Sequence, residues 1–177
     1  MIQLKPAVSS KDHIQGENTA PLELVEYGDY QCPHCGRAYP IIKDLQRSLG
    51  ADLKFVFRNF PLSESHPDAF NAAVTAEAAG LQQKFWEMHD VIFENQRKLN
   101  PKSLLLFAET IGLDLERFKS DIQKNDLTIR VDSDFESGVR SGVNGTPSFF
   151  INGEKYNGDW EGDEFIQYLK GQLPSSS

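Results

Sequence analysis

The sequence predicts an α/β fold interrupted by an inserted α-helical domain. Three observations carry this expectation. A strand–helix–strand pattern stands early in the chain, and a strand–strand–helix pattern closes it. Between about 65 and 141 no strand pattern of comparable strength occurs. The expected α/β body is therefore 1–62 together with 142–177, and the expected helical insertion is 63–141. A chain of 177 residues is long enough for one domain carrying such an insertion.

The elements follow in order. Residues 1–20 are polar and irregular, and read as an arm laid over the body. Residues 22–27 alternate well enough for a strand, which Gly28 and Asp29 break. After the segment 30–36, Ile41, Ile42, Leu45 and Leu49 give one apolar helical face. Pro33 suits the first turn, where a missing N–H costs nothing. Pro40 falls inside the helix and is expected to kink it, and Gly50 ends it. Residues 53–60 form the clearest strand and complete a βαβ unit.

Within the insertion, 67–81 is alanine-rich, with Phe70, Ala73, Val74 and Ala78 on one side. Residues 83–95 place Phe85, Trp86, Met88, His89, Ile92 and Phe93 on a helix, where such aromatics read as core. Asn100 and Asp114 read as N-caps of helices over 102–111 and 115–123. Leu127, Val131, Phe135 and Val139 step by four residues, a single helical stripe. Two short strand runs flank Asn152-Gly153, a pair suited to the positive φ angles of a tight hairpin. Phe165, Ile166 and Leu169 mark a last amphipathic helix, and 174–177 reads as a frayed tail.

The motif that carries chemistry is Cys32-Pro33-His34-Cys35. Two intervening residues put the sulfurs on one helical turn, so they can bond with little movement. Cys32 falls at the helix entrance, where unpaired N–H groups and the positive end of the macrodipole stabilise a thiolate. His34 adds a donor or a positive charge within reach. Cys35 lies one turn deeper and is expected to stay a neutral thiol. Cys32 would then attack a partner disulfide, and Cys35 would resolve the mixed disulfide. A stabilised thiolate favours the reduced form, so the pair leans toward oxidising its substrate. Half a zinc site is the competing reading; it lacks two more ligands, since no second CxxC or HxxxH occurs, and no metal is expected.

Composition narrows the alternatives. Eighteen basic against 26 acidic residues give a net charge of −8, which argues against nucleic acid as the main partner. No apolar run approaches the roughly 18 residues of a spanning helix, so no membrane insertion is expected. Two cysteines exclude a multi-disulfide scaffold. The first sixteen residues carry Lys5, Lys11 and Asp12 and show no signal-peptide core. A native start of this kind predicts a cytoplasmic protein; a trimmed signal would instead make it periplasmic.

The strand ending at Glu26, the Cys32-Pro33-His34-Cys35 centre and Gly145-Thr146-Pro147 ahead of a hairpin resemble the DsbA family of thiol–disulfide oxidoreductases. The resemblance spans nearly all of 20–171. It implies a thioredoxin fold with an inserted α-helical domain and a redox centre of Cys32 and Cys35, tuned by Pro33 and His34. It also implies a cis Pro147 lying against Cys32, with Thr146 and Pro147 shaping a groove in which backbone pairs with an extended substrate. Glu26 would be a buried acid near the inner cysteine, able to carry its proton; the plainer reading is an exposed strand carboxylate. Arg58, where relatives often carry lysine, either pairs with Glu26 or lies on the surface. Tyr30 and Gln31 flank the active turn and either touch substrate or shape the loop. His66 reads as a turn residue.

The expected partners are protein thiols and disulfides together with an unidentified redox partner. No cofactor is expected beyond the Cys32–Cys35 disulfide itself. The alternatives are a cytoplasmic, glutathione-linked thiol reductase or transferase, with glutathione as co-substrate, and a non-catalytic module binding peptides by strand addition beside Pro147.

Overall fold

A computed structural model describes residues 1–175. In chain order the elements are β1 (His13–Gly16), β2 (Leu22–Gly28), α1 (Pro33–Leu49), a short 3-10 turn (Gly50–Asp52) and β3 (Leu53–Asn59). Five helices follow: α2 (Ala69–Gly80), α3 (Phe85–Glu94), α4 (Pro101–Thr110), α5 (Leu115–Asp121) and α6 (Asn125–Arg140). The chain then returns as β4 (Ser148–Ile151), β5 (Glu154–Tyr156) and α7 (Glu164–Gly171).

The strands form one sheet in the order β1-β3-β2-β4-β5. Only β2 and β3 run parallel within it; the other pairs are antiparallel. β2 is central and covered on both faces, so every residue from Leu24 to Gly28 is buried rather than every second one. Alternation still decides which face each side chain joins. Leu22, Leu24, Phe55, Phe57, Phe149 and Ile151 pack in the larger core with α1 and much of the insertion. Val25, Tyr27, Val56 and Phe150 pack in a smaller core with Phe60 and the arm residue Leu4. Each fully buried large apolar side chain contributes about 2 kcal/mol.

The insertion is tied to the sheet by packing and by polar contacts. α2 is lined with alanines, and its buried length from Ala72 to Ala79 contacts α3 and α6 closely. Phe135 of α6 stacks on Phe60, with centroids 4.2 Å apart. Asn59 donates to Glu77 and Asp134 at 2.9 Å each, and His13 meets Glu77 at 2.9 Å. Asn100 and Asp114 cap α4 and α5, accepting from the N–H groups of Ser103 and Arg117. The hairpin turn has positive φ at both Asn152 (49°) and Gly153 (87°).

Two expectations need correction. The arm is not wholly irregular: His13–Gly16 pairs with β3 as an edge strand. Four residues with one aliphatic side chain offer no readable alternation, and here the pairing comes from the edge of β3. The four-step stripe of α6 does not stay inward, since Val139 is 56% exposed. Four residues advance a helix by about 400°, so each step drifts about 40° around the axis. The frayed-tail expectation, where it concerns Ser176 and Ser177, lies outside the described residues.

Candidate active site

The reactive turn is built by Asp29. Its buried carboxylate accepts from Gln31 N (2.7 Å) and Cys32 N (3.1 Å) through Oδ1. Its Oδ2 accepts from Leu62 N and meets His66 Nδ1, both at 2.8 Å. One side chain thus fixes the turn after β2 and ties it to the loop after β3. Pro33 then opens α1 as its first residue, and Cys32 is the N-cap, with extended backbone angles (φ −69°, ψ 123°). A sulfur occupies the position where a capping oxygen normally serves N–H groups. It makes no cap hydrogen bond of ordinary geometry, yet the N–H groups of His34 and Cys35 are close enough to stabilise its charge.

Both cysteines are free thiols. Cys35 is fully covered, and Cys32 keeps 4% of its surface exposed, so the outward sulfur is more enclosed than its helix-entrance position predicts. Cys32 Sγ lies 3.7 Å from the carbonyl oxygen of Thr146. The Cys32 pKa is lowered to about 5, above all by the hydrogen bond from Cys35. Burial opposes this, while Thr146 and the two backbone N–H groups support it. Burial pushes the Cys35 thiol well above its usual value, and its bond to Cys32 and the charge of Glu26 act the same way. The two sulfurs are therefore driven apart in acidity.

Glu26 is 2% exposed, and its Oε2 has no hydrogen-bond partner. Burial raises its pKa to about 8, and the Cys32 charge adds to the rise. The exposed-carboxylate reading is thereby excluded. Thr146 and Pro147 are half-buried beside Cys32, joined by a cis peptide bond, and Thr146 Oγ1 is buried without a partner. Pro33 and His34 are exposed. The His34 ring faces Arg37, so what His34 presents to Cys32 is its backbone N–H.

Of the two readings of Tyr30, substrate contact and loop shaping, its burial disfavours the first. Tyr30 is 1% exposed, and its ring packs against Phe57 and Phe93 with centroids 5.1 and 4.9 Å away. Its hydroxyl pairs with buried His89 Nδ1 at 2.9 Å. Gln31 shapes the loop: its Oε1 accepts from Asp68 N at the start of α2. Arg58 neither pairs with Glu26 nor lies on the surface. Its register partner is Tyr27, on the opposite face from Glu26, and it is buried while bonding Asp12 (2.8 Å) and the Tyr27 hydroxyl (2.9 Å). Among the described residues no group of three His, Cys, Asp or Glu side chains could hold a metal ion.

Two further residues build the site: Asp29, read from the sequence only as a strand breaker, and Gln96. Asp29 carries a usable signal, an acid three residues before an N-cap, where its side chain can take up turn N–H groups. Gln96 carries none: its Nε2 donates to Tyr30 O (2.9 Å) and Cys32 O (2.7 Å) across 66 and 64 residues of chain.

A family model described as thioredoxin matches residues 8–171. Among curated proteins, the Na(+)/H(+) antiporter NhaA 1 of Salinispora arenicola is 41% identical over 155 residues, covering 88% of this chain and 24% of that protein. Its namesake in Mycolicibacterium vanbaalenii is 40% identical over 169 residues, covering 94% and 27%. The chain thus spans about a quarter of the length of the curated relatives it matches. Among solved structures, oxidised BdbD from Bacillus subtilis superposes with a TM-score of 0.81 at 23% identity, covering 93% of this chain and 94% of that one. A thioredoxin-like oxidoreductase from Silicibacter pomeroyi gives 0.80 at 26% identity, covering 93% and 91%.

Proposed function

The chain belongs to the thioredoxin family, and from that premise we propose that it exchanges disulfides with protein substrates through Cys32 and Cys35. The observation that carries the proposal is the unequal pair: a cysteine at the α1 N-cap with its pKa lowered to about 5, bonded by a covered cysteine whose own pKa is raised. The fold it shares with BdbD and with the thioredoxin-like oxidoreductase, together with its own closely spaced cysteines, supports the same reading.

The Cys32 thiolate attacks one sulfur of a substrate disulfide. A mixed disulfide forms and the second substrate sulfur leaves as a thiolate. Cys35 then gives up its proton and attacks Cys32 Sγ, releasing the first substrate sulfur. The substrate gains two electrons from the pair, which becomes a disulfide; one proton comes from Cys35 and the second from water. Run backward, the same steps oxidise a substrate dithiol. Stabilising the Cys32 thiolate favours the reduced pair, which makes the disulfide the stronger oxidant and oxidation the favoured direction. Glu26 holds the proton that Cys35 exchanges in this scheme; its burial and the influence of its charge on Cys35 support the role. A substrate backbone would lie extended beside Thr146 and Pro147; the contact of Cys32 Sγ with Thr146 O supports this.

No helix among the described residues is long and apolar enough to cross a membrane. We therefore read the segment shared with the antiporters as a redox unit, with ion transport left to the rest of those longer proteins. Trapping tests the lead reading. Cys35→Ser should accumulate mixed disulfides with an unfolded protein carrying one disulfide, and Cys32→Ser should not. Equal trapping by both variants would contradict the assignment of attacking and resolving sulfurs.

A further inference from the structure

A side chain of the helical insertion reaches into the redox turn. Gln96 lies between α3 and α4 and is half-buried. Its carboxamide nitrogen serves two carbonyls, Tyr30 O at 2.9 Å and Cys32 O at 2.7 Å, so both of its N–H groups are engaged on either side of Gln31. The carboxamide oxygen faces the first turn of α1. A Cβ built on Gly36 would stand 2.1 Å from that oxygen and 2.9 Å from Cδ, so a glycine at this position makes room for the amide. Cys32 O also accepts the Gly36 N–H at 3.0 Å, at the start of α1. Gln96 is thus locked against three successive parts of the centre: the turn before Cys32, Cys32 itself and the helix that Cys32 caps.

Holding these two carbonyls fixes the peptide planes around Cys32. Those planes set how Sγ stands to the N–H groups of His34 and Cys35. At Cys32 O the carboxamide is a second donor beside the Gly36 N–H, which further draws this carbonyl dipole away from the neighbouring thiolate.

We propose that Gln96 is a positioning residue of the redox centre: its carboxamide holds residues 30–32 in the orientation in which Cys32 reacts, and so makes the reactivity of the pair depend on the helical insertion. This rests on the reading of Cys32 as the attacking thiolate. Gln96 touches no substrate atom and acts through backbone.

Two variants test it by different routes. Gln96→Met keeps length and bulk and removes both donors. Gly36→Ala leaves Gln96 intact and pushes its amide aside. The readout is the rate of iodoacetamide labelling against pH, with the labelled residue identified by peptide mapping. Losing one such hydrogen bond should raise the Cys32 midpoint by about one pH unit. From a midpoint of about 5, the labelling rate at pH 5 should then fall about fivefold in each variant, with no change at pH 8. The double variant should shift no further than either single one, because both act on the same amide.

Profiles that superimpose on the parent protein in both folded variants would overturn the proposal. So would a loss of thermal stability with the midpoint unmoved, or additive shifts in the double variant. Labelling of Cys35 in the parent protein would instead overturn the assignment of Cys32, and the proposal with it.

Discussion

At the residue scale, the buried carboxyl of Glu26 has a measurable consequence for stability. Its pKa in the folded chain is raised to about 8, from an ordinary value of 4.5. Between those values the unfolded chain has released the proton and the folded one still holds it, so stability falls as pH rises. Below about 4.5 both states are protonated and nothing is lost; near 8 the loss approaches its full size. Glu26→Gln removes this term while the linkage of Cys32 largely cancels in the comparison. Urea unfolding should show the variant gaining about 3 kcal/mol on the parent between pH 5 and pH 8. A constant difference across that range would mean that Glu26 is not held protonated. The burial of this acid was expected only through the family resemblance; in the folded chain period-2 alternation puts Glu26 on the same face as Leu22 and Leu24, over α1. The same rule, applied to β3 in register with β2, places Arg58 beside Tyr27 and away from Glu26. Register is what a single sequence withholds. The substrate-contact alternative for Tyr30 falls for a related reason: neighbours along the chain at a tight turn point in different directions, and this ring turns inward to Phe57, Phe93 and His89.

At the element scale, α6 shows packing overriding propensity. Gly138 lies in the last part of this helix, where alanine would ordinarily stabilise by up to about 1 kcal/mol. A Cβ there would meet the Phe60 ring at 2.7 Å and Tyr27 Cδ1 at 3.0 Å. Tyr27 is also held by Ser137, through a 2.7 Å bond between hydroxyls, and by Arg58. None of these groups can retreat freely. Gly138→Ala should therefore cost about 1–2 kcal/mol net in urea unfolding, against its propensity. A gain in stability would show that α6 does not lie this close to the sheet. Elements with local chemistry were readable: Pro33 at the start of α1, Asn100 and Asp114 as caps, and Asn152-Gly153 as the hairpin turn. β1 was not, because its four residues gain their strand character from the open edge of β3.

At the scale of the whole molecule, the two faces of the sheet divide the work. One face carries α1, the cysteines and Glu26. The other carries the arm, Arg58 and the α6 contacts. The insertion serves both, through Phe135 of α6 against Phe60 on the second face and through Gln96 at the redox turn on the first. The thioredoxin core with its inserted helices could be recognised from the order of a few motifs. The long-range contacts that hold the redox turn could not, because Leu62, His66 and Gln96 meet it only once the chain has folded. What this assembly is held to achieve is one acidic sulfur beside one that stays protonated. Following thiolate formation by ultraviolet absorbance across pH tests it most directly. A single thiolate should appear with a midpoint of about 5 and vanish in Cys32→Ser. A midpoint near 8.5, as for a free thiol, or an acidic thiolate that survives Cys32→Ser, would contradict it.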